Sequence, residues 1–209
     1  HELLQLPAEK IIWTGDEAFL LEPSTKGSDL LPNRQGNGPL IGMTVINWAF
    51  PNCPDPRAAR EAYFEALAGF VDYLVDAHDA TLVLLPFAQE RPGIAGDRQA
   101  TNELVRRSKH PNRLSVCRLT DPCEIKRLQT GLNFFVGSRM HSNIFALGAH
   151  LPVLAIAYQP KTTGIMTMAG LGEFTIDIRQ VTTDRLQKMF ERMWPERESI
   201  TAQVKQGVS

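Results

Sequence analysis

Residues 134–161, FFVGSRMHSNIFALGAHLPVLAIAYQPK, constrain this chain more than any other stretch. They read as a buried strand, a tight turn carrying Ser138-Arg139-Met140-His141, an apolar helix, and a second buried strand with Lys161 just past its end. Two strands joined through a helix in one sheet run parallel, by a right-handed crossover. Their carboxyl ends then share one edge, which gathers Arg139, His141 and Lys161 around the crevice where open α/β sheets bind ligands. Three basic groups above a helix N-terminus suit a small, highly charged anion.

The same rhythm runs through most of the chain. LIGMTVINW (40–48) is a strand candidate, and Asp55-Pro56 supplies an N-cap and a first-turn proline for a long helix. Tyr63, Leu67, Phe70, Val71 and Leu74 recur at helical spacing along it, so one face packs on a sheet. ATLVLLPF (80–87) is apolar nearly throughout, as in a strand covered on both faces. A helix capped by Asp97 is expected to run through Ser108, followed by a strand at 114–119 and a helix opened by Asp121-Pro122 and closed near Gly131. After the 134–161 unit come a helix from about Thr162 to Ala169, a weak strand at 174–178 and a helix over 182–194. Pro195 then interrupts, and a polar helix ends the chain. Alternation of this kind predicts an α/β fold, a Rossmann-like parallel sheet flanked by helices.

Ahead of that region, EKIIWTGDEAFLL (9–21) holds a short strand at Ile11–Thr14 and then Gly15-Asp16, which could be a mere turn. EPSTKGSDLLPNRQGNGP (22–39) is rich in Pro, Gly, Ser and Asn, the composition of a linker. The expected organisation is therefore a remnant of an N-terminal domain (1–21), a linker (22–39), a Rossmann-like domain (40–195) and a terminal helix (196–209). The chain opens with His1 inside the helix-like run HELLQL, which predicts that an N-terminal domain of the same protein is missing.

Composition narrows the function classes. A formal net charge of −1 argues against a nucleic-acid backbone or an anionic membrane surface as partner. The longest apolar runs, Thr81–Phe87 and Leu151–Tyr158, are strand-length and too short for a transmembrane segment. Cys53, Cys117 and Cys123 lack any Cys-x-x-Cys spacing, so unpaired thiols in a reducing cytoplasm are expected. His1, His78, His110 and His150 fall at helix ends or in loops and suggest no metal site.

Each candidate residue has a structural role to weigh against a functional one. Ser138 can cap the helix that follows, leaving first-turn amides for a ligand. Arg139 offers a planar fork for carboxylate or phosphate, but it could equally pair with a structural acid. His141 can exchange a proton near neutral pH, or pack at the sheet edge. Lysines after strands are commonly just solvated; Lys161 gains interest because it follows the strand beside Arg139. Gln89, Glu90 and Asp97 follow the strand ending at Phe87 and would face the same edge, where they could contact a sugar or position a base. Trp13, Trp48 and Trp194 read as packing residues, although Trp48 leaves its strand at the ligand-facing edge.

The segment VGSRMHSNIFALGAHLPVLAIAYQPKTTGIMTMAGL resembles the signature of the polysaccharide pyruvyl transferases: a strand, (I/V)G-x-R-x-H, an apolar helix, and a Pro-containing strand ending in Tyr-x-x-Lys. TGDEAF (14–19), the strand at 40–46, LLPFAQE (84–90) and Asp97 extend the resemblance upstream more weakly. It implies the C-terminal half of a two-domain fold like that of B-type glycosyltransferases. It also implies transfer of pyruvate from phosphoenolpyruvate, as a ketal, to two sugar hydroxyls of a surface polysaccharide or glycan precursor. Arg139, His141 and Lys161 fall on the family's catalytic and donor-binding positions, and Ser138, Met140, Tyr158, Gln89, Glu90 and Asp97 are expected around the substrate. The donor is phosphoenolpyruvate; no cofactor is implied. An arginine and a serine that the family draws from its N-terminal half are absent here, and acceptor contacts are expected mainly from that half. The alternatives are a glycosyltransferase or sugar-nucleotide epimerase of the same architecture, or a non-catalytic binding module. Against the nucleotide-dependent ones, no Gly-rich phosphate loop follows the first strand.

Overall fold

A computed structural model describes residues 16–25, 30–88 and 96–207. The strand expected at 11–14 and the residues Gln89 and Glu90 lie outside these. Six strands alternate with helices: β1 (Leu40–Met43), α1 (Pro56–His78), β2 (Thr81–Leu84), α2 (Asp97–Arg107), β3 (Leu114–Val116), α3 (Pro122–Gln129), β4 (Phe134–Gly137), α4 (Met140–Gly148), β5 (Val153–Ala157), α5 (Pro160–Met168), β6 (Thr175–Asp177) and α6 (Thr183–Met193). A last helix, α7 (Arg197–Gly207), follows Pro195 and turns Ile200 and Val204 into the core.

The sheet order is β3-β2-β1-β4-β5-β6, with every pair parallel. From β1 the chain winds one way and from β4 the other, so the order reverses between these two strands. That reversal is the topological switch point, and the crevice above it is where such sheets take ligands. Helix α1 packs against α2 and α6, while α4 packs between α3 and α5. The central strands β1, β2, β4 and β5 are buried at every residue, which explains their unbroken apolar sequence.

Local chemistry starts and stops these helices. The Asp55 carboxylate accepts from the amides of Arg57 and Ala58 at the head of α1, with Pro56 in the first turn. Asp121 does the same for α3 through the Cys123 amide, and the Thr182 hydroxyl accepts from Arg185 at the head of α6. Helix α1 ends on Asp79 in the left-handed region, its amide returning to Leu74 and Val75. Phe190 makes edge-to-face contacts with Phe70 and Phe134, at centroid separations of 6.2 and 5.0 Å, and so ties α6 to α1 and the sheet.

Residues 22–25 and 30–39, expected as a linker, hold no helix or strand, yet they bond to the sheet unit. The Ser24 amide donates to the Cys123 carbonyl and the Gln35 amide to the Thr81 hydroxyl. Just before them, a 3-10 turn over Glu17–Leu20 lies against α4, held by the buried Lys126 ammonium donating to the Phe19 carbonyl at 2.9 Å. Burial pulls the pKa of Lys126 below its ordinary value.

Candidate active site

Two of the helices that bear site residues begin at the carboxyl edge without a side-chain cap. Arg139 is the N-cap residue of α4 and Gln159 that of α5, and neither start has a side chain bonded to its amides. Helices α1, α3 and α6 have such caps, whereas α2, α4 and α5 do not, and of these three α4 and α5 carry basic residues of the site in their first turns.

The expected cap at Ser138 is corrected here. Ser138 is fully buried, its amide donating to the Thr44 hydroxyl at 2.8 Å and its hydroxyl to the Thr44 carbonyl at 2.7 Å. Thr44 continues beyond β1, directly beside β4, and it captures Ser138 before that side chain can turn towards α4 or a ligand. Ser142 completes the clasp. Its hydroxyl lies 3.1 Å from that of Thr44 and donates to the Arg139 carbonyl at 2.7 Å. The switch point is thus closed by hydroxyls, and they fix the backbone that carries Arg139 and His141.

Arg139 and Asp97 form the centre of the site. Asp97 is fully buried and was expected to reach a sugar or a base; the structure corrects that too. Its carboxylate accepts from Arg139 Nε at 3.0 Å and Nη2 at 2.6 Å, and from the amides of Phe87 at 3.2 Å and Ala88 at 2.8 Å. Three of the four donors converge on Oδ2 and one on Oδ1, and the carboxylate is fully buried, so it faces these partners and not a ligand. Gly96, not Asp97, is the N-cap residue of α2. Burial works against the charge of Arg139, but the hydrogen-bonded Asp97 more than offsets it, so the guanidinium pKa lies above its ordinary value. One edge of the arginine fork is therefore spent on positioning. The rest of the fork lies beside Tyr158 on the wall of the pocket, and the pair as a whole carries no net charge.

His141 sits in the first turn of α4 with its side chain 56% exposed, and its Nε2 lies 3.9 Å from the Asp16 carboxylate. Asp16, which in sequence could be a mere turn, is the acid nearest this imidazole in the structure's ion pairs. Its other carboxylate oxygen accepts from the Ala18 amide at 3.0 Å, which fixes the side chain. Only the fold brings residues so far apart in sequence together. Lys161, expected beyond the strand, is an exposed residue in the first turn of α5, because that helix starts at Pro160. Tyr158 is half-buried; its ring centroid is 4.7 Å from that of Trp48, and the Arg139 guanidinium lies 6.0 Å from it.

Arg139, Met140, His141, Tyr158 and Lys161 all line one pocket of about 300 Å³, walled on the far side by Phe87 and Ala88. The backbone amides bonded by Asp97 belong to that wall, so one buried carboxylate positions both the arginine and the facing loop. Arg139, His141 and Lys161 all stand at positive helix ends, where a cation is electrostatically unfavourable. An anion bound among them would relieve the strain of that arrangement. Among the described residues, no group of three or more His, Cys, Asp or Glu side chains is placed to hold a metal ion. Likewise no described helix is long and apolar enough to cross a membrane. Cys53, Cys117 and Cys123 are free thiols.

The fold is shared with part of a solved glycosyltransferase. A glycotransferase of kitacinnamycin superposes with a TM-score of 0.52 at 14% identity, over 90% of this chain and 42% of that one. SnogD from Streptomyces nogalater, a glycosyltransferase, aligns with a TM-score of 0.47 at 14% identity over 89% of this chain and 42% of its own. The sequence places the chain more narrowly. Residues 1–160 match the polysaccharide pyruvyl transferase family, and the chain belongs to it. The amylovoran biosynthesis protein AmsJ of Erwinia amylovora is 28% identical over 85 residues, which is 41% of this chain and 20% of AmsJ. The match therefore takes in about a fifth of that relative's length.

Proposed function

We propose that this chain binds phosphoenolpyruvate in the pocket at the switch point and takes part in transferring its pyruvyl group, as a ketal, to two hydroxyls of a glycan precursor. The observation that carries this assignment is the convergence of Arg139, His141 and Lys161 on one pocket of about 300 Å³. Membership of the pyruvyl transferase family supports the chemistry, and the polysaccharide pathway of the Erwinia relative supports the kind of acceptor. Free thiols fit a cytoplasmic enzyme.

Each residue has a distinct task. The rest of the Arg139 fork holds the donor carboxylate or phosphate. Lys161 and the uncapped amides of α4 and α5 neutralise the phosphate as it leaves. His141 delivers a proton to C3 while the first hydroxyl bonds to C2. The second hydroxyl then bonds to C2 as the C2–O bond to phosphate breaks. Two protons leave the diol, one replacing that given to C3 and one carried away with phosphate. No cofactor enters this balance. The acceptor and an N-terminal half of the enzyme complete the partners.

Calorimetry with phosphoenolpyruvate and with a panel of nucleotide sugars tests the donor directly; binding of a nucleotide sugar alone would replace this assignment with glycosyl transfer. Arg139→Lys keeps the charge but loses the fork that Asp97 holds, so donor affinity is expected to fall about ten- to hundredfold. His141→Gln is expected to lower phosphate release on transfer by about 10²–10⁴-fold with donor affinity nearly intact. Transfer at the parent rate by a normally folded His141→Gln would remove the histidine from the mechanism.

A further inference from the structure

A second and larger depression adjoins the donor pocket. It measures about 660 Å³ against about 300 Å³, and Tyr158 and Gln159 line both. From the loop after β5 it runs along the outer face of α5 to the end of β6. Its chemistry differs sharply from its neighbour's. Thr163, Gly164, Thr167 and Met168 form the α5 wall, all exposed and all uncharged. Opposite them stand Asp177 and Arg179, whose charges cancel: the Asp177 carboxylate accepts from Arg179 Nε at 2.9 Å and Nη2 at 2.5 Å. Among the described residues no unpaired cation lines this groove, so its walls do not suit phosphate.

We infer that this groove is a pyranose-binding subsite, and that it seats the acceptor sugar beside the donor. Apolar surface from Tyr158, Gly164 and Met168 offers a floor for the C–H face of a sugar ring. Threonine hydroxyls and the Asp177–Arg179 pair offer donors and acceptors at its rim. The guanidinium still has three N–H groups outside its bonds to Asp177, and the carboxylate keeps a lone pair on Oδ2, enough to bracket neighbouring hydroxyls. Pockets that combine an apolar floor with a few fixed polar groups are the common form of small-ligand sites. The shared wall matters most for function: a ketal needs two hydroxyls of one sugar at a single donor carbon, so the acceptor must abut the donor pocket. Identifying the sugar as the acceptor rests on the pyruvyl-transfer assignment above; the sugar site itself does not.

Gly164 gives a clean test, because a Cβ built there meets nothing within 4 Å and a large side chain would project into the groove without disturbing the core. Saturation-transfer NMR with methyl glycosides of glucose, galactose and mannose reads binding to the purified chain. At least one is expected to show transfer, which Gly164→Trp abolishes. The double variant Asp177→Asn with Arg179→Gln, which empties the rim without filling the groove, is expected to weaken that sugar about tenfold or more. Phosphoenolpyruvate affinity, followed by calorimetry, is expected to be unchanged in Gly164→Trp. Absence of transfer to any of the glycosides, or transfer undiminished in Gly164→Trp, overturns the subsite. If phosphoenolpyruvate fails to bind the parent chain while a glycoside binds and is lost in Gly164→Trp, the donor assignment falls and the sugar site stands.

Discussion

Cations at the positive ends of helices are the clearest mark of function at the scale of single residues. Lys161 has no acid within ion-pairing distance among the described residues, and it adds its charge to the head of α5. A free ammonium there costs the fold a few tenths of a kcal/mol and returns that energy only when an anion binds. Lys161→Gln is therefore expected to raise the melting temperature slightly while weakening phosphoenolpyruvate about tenfold. A merely solvated lysine would leave donor affinity untouched, and calorimetry beside a thermal melt separates the two. Arg139 behaves differently because Asp97 compensates it. The order strand, Arg-x-His, helix, strand, Tyr-x-x-Lys was legible in the sequence, and it placed Arg139, His141 and Lys161 at one edge. What stayed hidden was the division of labour among side chains that meet only in three dimensions. Asp97 turned inward to hold Arg139, Ser138 bonded to Thr44, and Asp16 came to lie beside His141.

Glycines on two helical and strand segments show how the elements are specialised. Gly137 closes β4, and a Cβ there would overlap the Oδ1 of Asn143, whose side-chain amide donates to the Gly137 carbonyl at 3.3 Å. Asn143 is fully buried within the first turns of α4, so it cannot swing aside. Gly137→Ala is expected to destabilise the chain by about 1–3 kcal/mol through overpacking at the switch point. Gly164 on α5 is the converse. Its open surroundings and ordinary helical backbone predict that Gly164→Ala stabilises by about 0.5–1 kcal/mol, since alanine is the better helix former. Urea midpoints of the two variants should move in opposite directions. Helix positions were largely readable because Asp55-Pro56, Asp121-Pro122 and Thr182 mark starts by backbone chemistry that is local in sequence. The start of α5 was read two residues late. Pro160 looks like a loop residue until it is seen to occupy the first turn, where its missing amide costs nothing.

For the whole molecule, the strand order reverses between β1 and β4, and everything proposed here follows from that edge. Alternating apolar strands and capped helices predicted a parallel sheet, but sequence carries no mark of which strands are neighbours beyond the crossover of one unit. Ion pairs serve stability on the far faces of the fold and, through Asp177 and Arg179, at the rim of the groove as well. Glu61 is held below the ordinary carboxylate range by its hydrogen bond to Arg107, and Glu103 by Arg106 and Arg107. Arg179 lowers Asp177, while the Tyr73 hydroxyl and then His78 lower Glu191. All four have folded pKa values depressed below their unfolded values of 4.5 for Glu and 3.8 for Asp. Each therefore adds stability that is fully present above the unfolded value and is lost as pH falls through the folded one. Because Glu61 and Glu191 are exposed and Glu103 and Asp177 only partly buried, salt should screen much of the effect. Urea midpoints measured from pH 7 downward are expected to show no loss from these pairs until about pH 5, then a decline through pH 4 and 3 that is shallower in high salt. The steepest loss between pH 7 and 6, with none below 5, would assign acid sensitivity to histidine instead and remove these four ion pairs from the account of stability.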